Sequence, residues 1–200
     1  MFIIFTGNRK GKTTAALGQA MRAVGEGKRI LMIQFIKGPW KSGEDNVEIV
    51  AKGRFSTSSN DKENYSSSEA EKDSPGVFKL VKMGKGFVGI MGDKLPREEH
   101  VKAAEDALDY AKKEIESAPP TGGWDIVILD EINNAVSLNL ISKEKVLEVL
   151  QPTTYNLQTI ILTGRDAPQE FIDRADLVTE MRDIKHPYHK GVKGKRGLEY

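Results

Sequence analysis

The sequence predicts an α/β fold, with a mostly parallel sheet covered by helices on both faces. Three observations lead there. Short runs rich in Ile, Val and Leu, bounded by Gly, Asp or Ser, read as strands buried on both faces. They alternate with stretches of helical periodicity, the pattern of parallel strands joined by helical crossovers. The chain has 200 residues and 38% hydrophobic content, which suits one domain with a single core.

The elements follow in order. Residues 2–6 (Phe-Ile-Ile-Phe-Thr) are apolar almost throughout and read as a strand. A turn at Gly7 to Gly11 leads into a helix from Lys12, with Ala15, Ala16, Leu17, Ala20, Met21 and Val24, until Gly25 and Gly27 stop it. A second strand covers residues 29–36. Strand, glycine turn, helix and strand together have the length of a βαβ unit. Residues 56–75 contain seven Ser, five acids and two Lys, with Tyr65 and Ala70 as their apolar members. Such a stretch buries too little surface to offset its ordering entropy and is read as a flexible insertion in a single domain of residues 1–200. Residues 77–81 form a strand. Glu98 to Ser117 form an amphipathic helix with Val101, Ala104, Leu108, Ala111 and Ile115 on one face. Residues 124–129 are a buried strand ending at Asp130 and Glu131. Ser142 caps a helix through Leu150. Residues 157–163 are a strand, 168–174 a short helix and 176–181 a last strand.

Composition excludes several functions. The chain has no Cys, so disulfide scaffolds, thiolate metal sites and a Cys nucleophile are out. The 30 basic and 29 acidic residues give a net charge of +1, which creates no general field for nucleic acid or acidic lipid. No apolar run approaches the roughly 18 residues of a membrane span, and residues 1–5 lack a basic n-region. A cytoplasmic protein acting on neither membrane nor nucleic acid is expected. The basic tail from Lys185 to Tyr200 includes His186 and His189. Without a third ligand, and amid lysines, they read as a solvated or substrate-facing tail and not as a metal site.

Chemistry concentrates at Gly7-Asn8-Arg9-Lys10-Gly11-Lys12-Thr13-Thr14. Backbone N–H groups of such a turn cradle phosphate oxygens, and the following helix adds its dipole. Lys12 supplies a cation to the phosphates, and the Thr13 hydroxyl suits Mg²⁺. Three residues separate Gly7 from Gly11, whereas the common phosphate loop has four between its glycines. Asp130 and Glu131 end a buried strand, where ligands of open α/β sheets sit, and extend the metal site. The fold is therefore expected to be a P-loop nucleotide-binding fold. It would hold a nucleoside triphosphate with Mg²⁺ or Mn²⁺, and two activities fit. One is group transfer from the nucleotide. The other is hydrolysis to ADP and phosphate by a switch or motor, with Glu131 as base.

Several blocks together resemble the ATP:corrinoid adenosyltransferase family. They are the phosphate loop from Phe5 to Ala16, Arg22 to Gly27, Gln34 to Gly38 with Trp40, Gly43 and Glu44, Leu129 to Glu131, Thr163 to Arg165, Ala175 to Met181, Lys185 to Pro187, and the ending through Tyr200. The resemblance implies that Co(I) of a corrinoid (cobalamin, cobinamide or cobyrinic acid diamide) attacks the 5′ carbon of ATP and that triphosphate leaves. It also implies a homodimer served by an electron donor such as a reduced flavoprotein. Lys12 and Glu131 would act on the leaving group, and Arg22 would lie at the nucleotide. Gln34, Lys37, Trp40 and Glu44 would lie near the nucleotide or the corrinoid, and Arg165 would reach phosphates. Gly86 and Phe87 resemble the start of the family's Gly-Phe-Thr-Trp block, and the resemblance implies that Phe87 would help expel cobalt's lower ligand. Here Gly89 replaces the Trp, Arg9 stands where a third loop glycine is usual, and residues 56–75 are extra.

Overall fold

A computed structural model describes residues 1–38, 40–49, 76–90, 92–117, 123–151 and 159–186, together with Gly191, Gly194, Lys195 and Gly197. Residues 56–75, His189 and most of the tail beyond His186 lie outside these. Six strands form one sheet: β1 (Phe2–Thr6), β2 (Arg29–Gln34), β3 (Val77–Lys82), β4 (Ile126–Asp130), β5 (Thr159–Thr163) and β6 (Leu177–Glu180). Their spatial order is β3-β2-β4-β5-β1-β6, and every pairing is parallel. The helices are α1 (Lys12–Gly25), α2 (Arg97–Glu116), α3 (Ile132–Ser137), α4 (Lys143–Val149) and α5 (Gln169–Ile172), and Gly43–Asn46 makes a 3-10 turn.

Alternation along the strands sends side chains to two cores. Ile3, Phe5, Ile30, Met32, Ile128 and Ile161 face α1, meeting Ala16, Ala20 and Val24. Ile4, Leu31, Ile33, Val127, Leu129 and Leu162 face the other side, under α2, α3, α4 and α5. The expected α/β layering is therefore present, and the sheet is wholly parallel. Small residues set close packing: α2 presents Ala103, Ala104, Ala107 and Ala111 to the sheet. None of the described helices is long and apolar enough to cross a membrane.

Three expectations need correction. Strand β2 ends at Gln34, not residue 36, because the chain there turns toward the segment after β3, and the Gly86 N–H donates to the Ile36 carbonyl. Strand β4 begins at Ile126 and runs through Asp130, whose partner is Gln34. The six-residue α3 directly after Glu131 was not foreseen. Its Asn133, Asn134 and Ser137 are poor helix formers, and it is short for periodicity to register.

Candidate functional site

The carboxyl ends of β1, β2, β4 and β5 converge on one edge of the sheet, where ligands bind in open α/β folds. The turn after β1 is built around Gly7, at φ 98. A Cβ there would lie 2.5 Å from the Met181 carbonyl oxygen, so only glycine fits. Gly11 caps α1 in the left-handed conformation, and no side chain caps that helix, which leaves its first N–H groups to an anion. The Lys12 ammonium arches across the turn, donating to the carbonyls of Gly7 (2.7 Å) and Arg9 (2.6 Å). Burial, followed by the Arg165 guanidinium, lowers its pKa from the ordinary lysine value. Arg9 is not among the residues at positive φ, so this position carries a side chain without left-handed strain.

Asp130 is the buried hub, at 0% exposure. Its Oδ1 accepts from the hydroxyls of Thr13 (2.8 Å) and Thr163 (2.6 Å), and its Oδ2 accepts from Gln34 Nε2 (3.0 Å). The neighbouring Glu131 adopts φ 63, an uncommon conformation for a residue with a Cβ. Its N–H donates to Thr163 Oγ1 at 2.9 Å, and the residue opens α3. Burial, and then the Asp130 charge, push the Glu131 carboxyl up to about 7, against the pull of Lys37, Lys12 and Arg165. Thr13, Asp130 and Glu131 are hard oxygen donors, as Mg²⁺ or Mn²⁺ requires. No group of three or more His, Asp or Glu that could hold a metal occurs among the described residues.

Beyond β2 the site continues as a charged and then an aromatic wall. Lys37 Nζ pairs with Glu44 Oε1 and stands 4.0 Å from Asp130 Oδ2. Burial lowers the Lys37 pKa, but Asp130 and Glu44 outweigh it and hold the ammonium above its usual value. Burial would raise Glu44, and the hydrogen bond from Lys37 reverses this and lowers it. Lys82 fixes the adjoining segment by donating to the Trp40 carbonyl and Ser42 Oγ, both at 3.1 Å, and by pairing with Asp45. The Trp40 ring lies 5.6 Å from that of Phe87, tilted by 36°. Both are exposed, at 60% and 42%.

The structure thus brings together Lys12, Thr13, Asp130, Glu131, Gln34, Lys37 and Glu44, with Arg165 close enough to act on Lys12 and Glu131. Asn8, Arg9, Lys10 and Thr14 are exposed on the loop and at the start of α1. Arg22 is set apart. It stands exposed in the last turn of α1, ten residues beyond Lys12, which at 1.5 Å per residue is roughly 15 Å along the axis. The resemblance alone places it at the nucleotide, and its side chain makes no contact with the residues gathered around Asp130 among the contacts described. Three residues escaped the sequence reading: Thr163, which bridges Asp130 and Glu131; Asn134, whose Oδ1 accepts the Arg165 N–H at 2.8 Å; and Asp166, which acts on Lys12. Asn134 and Asp166 carry no spacing motif, and Thr163 was noted only within the Thr163 to Arg165 block, with no role of its own. The clue to Thr163 was its place at a strand end.

Comparison with known proteins agrees with this geometry. The profile of the family described as ATP:corrinoid adenosyltransferase BtuR/CobO/CobP matches residues 1–200. The corrinoid adenosyltransferase of Escherichia coli (strain K12) is 33% identical over 200 residues, all of this chain and 85% of that protein. The corrinoid adenosyltransferase CobA of Salmonella typhimurium is 34% identical over the same span, with 85% of its length covered. A corrinoid adenosyltransferase from a Sinorhizobium species is 32% identical, with 80% covered. A phosphate loop of shortened spacing, a Thr–Asp–Glu oxygen cluster and a full-length match point the same way: this chain belongs to the ATP:corrinoid adenosyltransferase family.

Proposed function

We propose that the chain performs its family's reaction with a particular division of labour along the sheet edge. The 5′-deoxyadenosyl group of ATP is transferred to the Co(I) of a corrinoid, and triphosphate is released. The cobalt's own electron pair forms the bond to C5′ as the C5′–O bond breaks, and the leaving oxygen keeps the electron pair of the broken bond. No Ser, Cys or His nucleophile is required. The protein's work is alignment and electrostatic stabilisation of the leaving group. Lys12 and the loop N–H groups from Gly7 to Thr14 receive the phosphates, and Arg165 adds charge from the β5 side. Thr13, Asp130 and Glu131 would hold Mg²⁺, which when bound neutralises phosphate charge. Gln34, Lys37 and Glu44 keep Asp130 in place. Trp40 and Phe87 present an apolar wall to the corrinoid, which excludes water and nitrogen ligands from the cobalt. The observation that carries this reading is the continuity of the edge. The phosphate loop at β1, the oxygen cluster at β4 and the aromatic pair beyond β2 and β3 line one side of the molecule.

The protein works in the cytoplasm as a homodimer, with a reduced flavoprotein or similar donor supplying the electron that yields Co(I). Incubation with ATP, Mg²⁺ and chemically reduced cobalamin is expected to yield triphosphate and a light-sensitive Co–C bond. Release of ADP and phosphate without alkylated cobalt would overturn the reading in favour of a hydrolase.

A further inference from the structure

The segment after β6 folds back over the phosphate loop. The Met181 N–H donates to the Thr6 carbonyl at 2.8 Å, and its side chain lies against Gly11. Arg9, at the rim of the loop, pairs with Asp183 at 3.4 Å. Between rim and segment lies a cleft of about 360 Å³, lined by Arg9, Lys10, Arg182, Asp183, Lys185 and His186. That volume is within the range of about 300–1,000 Å³ typical of small-ligand pockets. Four permanent cations face one carboxylate there. Arg182 is shared with Glu180 (2.7 Å), and Arg9 with Asp183. Among the described residues the one apolar member of the lining is the fully exposed Ile184, with no Trp, Tyr or Phe beside it. The cleft is therefore unsuited to a base or a corrin ring and suited to an anion. Arginine forks match phosphate oxygens in pairs, and lysines add point charge.

We propose that this cleft is a second anion subsite, continuous with the phosphate loop, which holds the far end of a linear polyphosphate, namely inorganic triphosphate. This deepens the adenosyltransferase reading and rests on it for the origin of the triphosphate. One end of the chain sits on the loop amides and Lys12. The other end reaches between Arg9, Lys10, Arg182 and Lys185. Such a subsite holds the leaving group away from C5′ once the bond has broken. Arg9 joins the rim to the segment, so the side chain that replaces a loop glycine becomes part of the subsite.

The test is calorimetric titration of the whole protein, free of corrinoid and ATP, with sodium triphosphate and separately with orthophosphate. Wild type is expected to bind triphosphate at least tenfold more tightly. Lys185→Glu and Arg182→Gln are each expected to weaken triphosphate at least fivefold while orthophosphate changes less than twofold. Both residues are exposed, and circular dichroism checks that the variants fold. The proposal is overturned if triphosphate binds no better than orthophosphate, if both variants bind it like wild type, or if both anions weaken equally. Since no corrinoid is present, these outcomes are independent of adenosyl transfer. Failure of transfer with the subsite intact would strike the adenosyltransferase reading alone.

Discussion

Lys12 serves two ends, because its ammonium ties the loop carbonyls together and is positioned for the phosphates. Lys12→Ala should lower turnover at least about 100-fold through lost charge stabilisation. Single-turnover kinetics on folded protein would check this, and near-normal turnover would remove the residue from the mechanism. Glu131 gives a pH signature. Its carboxyl keeps a proton up to about 7 in the folded protein, whereas in the unfolded chain it titrates near 4.3. Between these values the folded state binds more protons, so stability falls as pH rises through the window and levels off above it. In the absence of metal and nucleotide, denaturant unfolding at pH 5 and pH 8 should differ by up to about 3 kcal/mol. Glu131→Gln should flatten that difference and weaken the response to Mg²⁺, since a neutral amide is a poorer ligand. An unchanged pH slope and metal titration would make Glu131 structural. Its left-handed backbone costs on the order of 1 kcal/mol, the kind of strain that functional sites retain.

At the scale of elements, the segment bearing Phe87 is held by one carboxylate. Asp93 accepts from the N–H groups of Gly89 (2.8 Å) and Leu95 (3.0 Å) and contacts the ring of the buried His100 at 2.9 Å. Asp93→Ala should loosen Phe87, and Phe87→Ala should remove the ring. Both should lower the fraction of four-coordinate Co(II) in corrinoid-bound protein, read spectroscopically. If neither changes it, the aromatic wall has no part in ligand removal. Gly89 invites repair to the family's Trp, but the structure argues against it. Space is open there, yet φ is +67, and a side chain in that conformation costs about 1–2 kcal/mol. Trp40 already stands beside Phe87, while Phe78, on β3, is committed to the core on the α1 side. The elements most legible in the sequence were those whose apolar runs end abruptly. Strand β1 stops at the glycine turn and β4 at two carboxylates, and burial and function mark the same residues. Helix α3 was hidden because Asn133 and Asn134 hold it to the turn after β5 through side-chain hydrogen bonds, which leave no periodicity. Thr163 was hidden for a similar reason, since its partners Asp130 and Glu131 are far away in sequence. Arg22 was the opposite case. The resemblance named it for the nucleotide, whereas the fold sets it in the last turn of α1, away from the cluster around Asp130.

For the whole molecule, residues 56–75 test how much of the chain the fold needs. Both flanks are anchored. Ile49 packs against the core on the α1 side, and Gly76 fits closely under the Val24 carbonyl. Replacing 56–75 with a short Gly/Ser linker should leave unfolding temperature nearly unchanged, because the cost of closing a loop depends weakly on its length. A fall of more than a few degrees would show that the segment contributes packing.

Strand β1 precedes the other described elements along the chain and pairs with the two strands that come last among them. It lies between β5 and β6, pairing Phe2 with Ile160 and Ile3 with Leu177. Contacts so remote along the chain slow folding, since the loops must close before any pairing rewards them. On the ribosome, the phosphate loop at residues 7–14 has to wait until Met181 has emerged to seat against Gly7 and Gly11. Until then β1 is an unpaired apolar strand, the kind of species that aggregates or engages chaperones. Nucleotide binding by the nascent chain is therefore an event that waits for the segment after β6 to emerge.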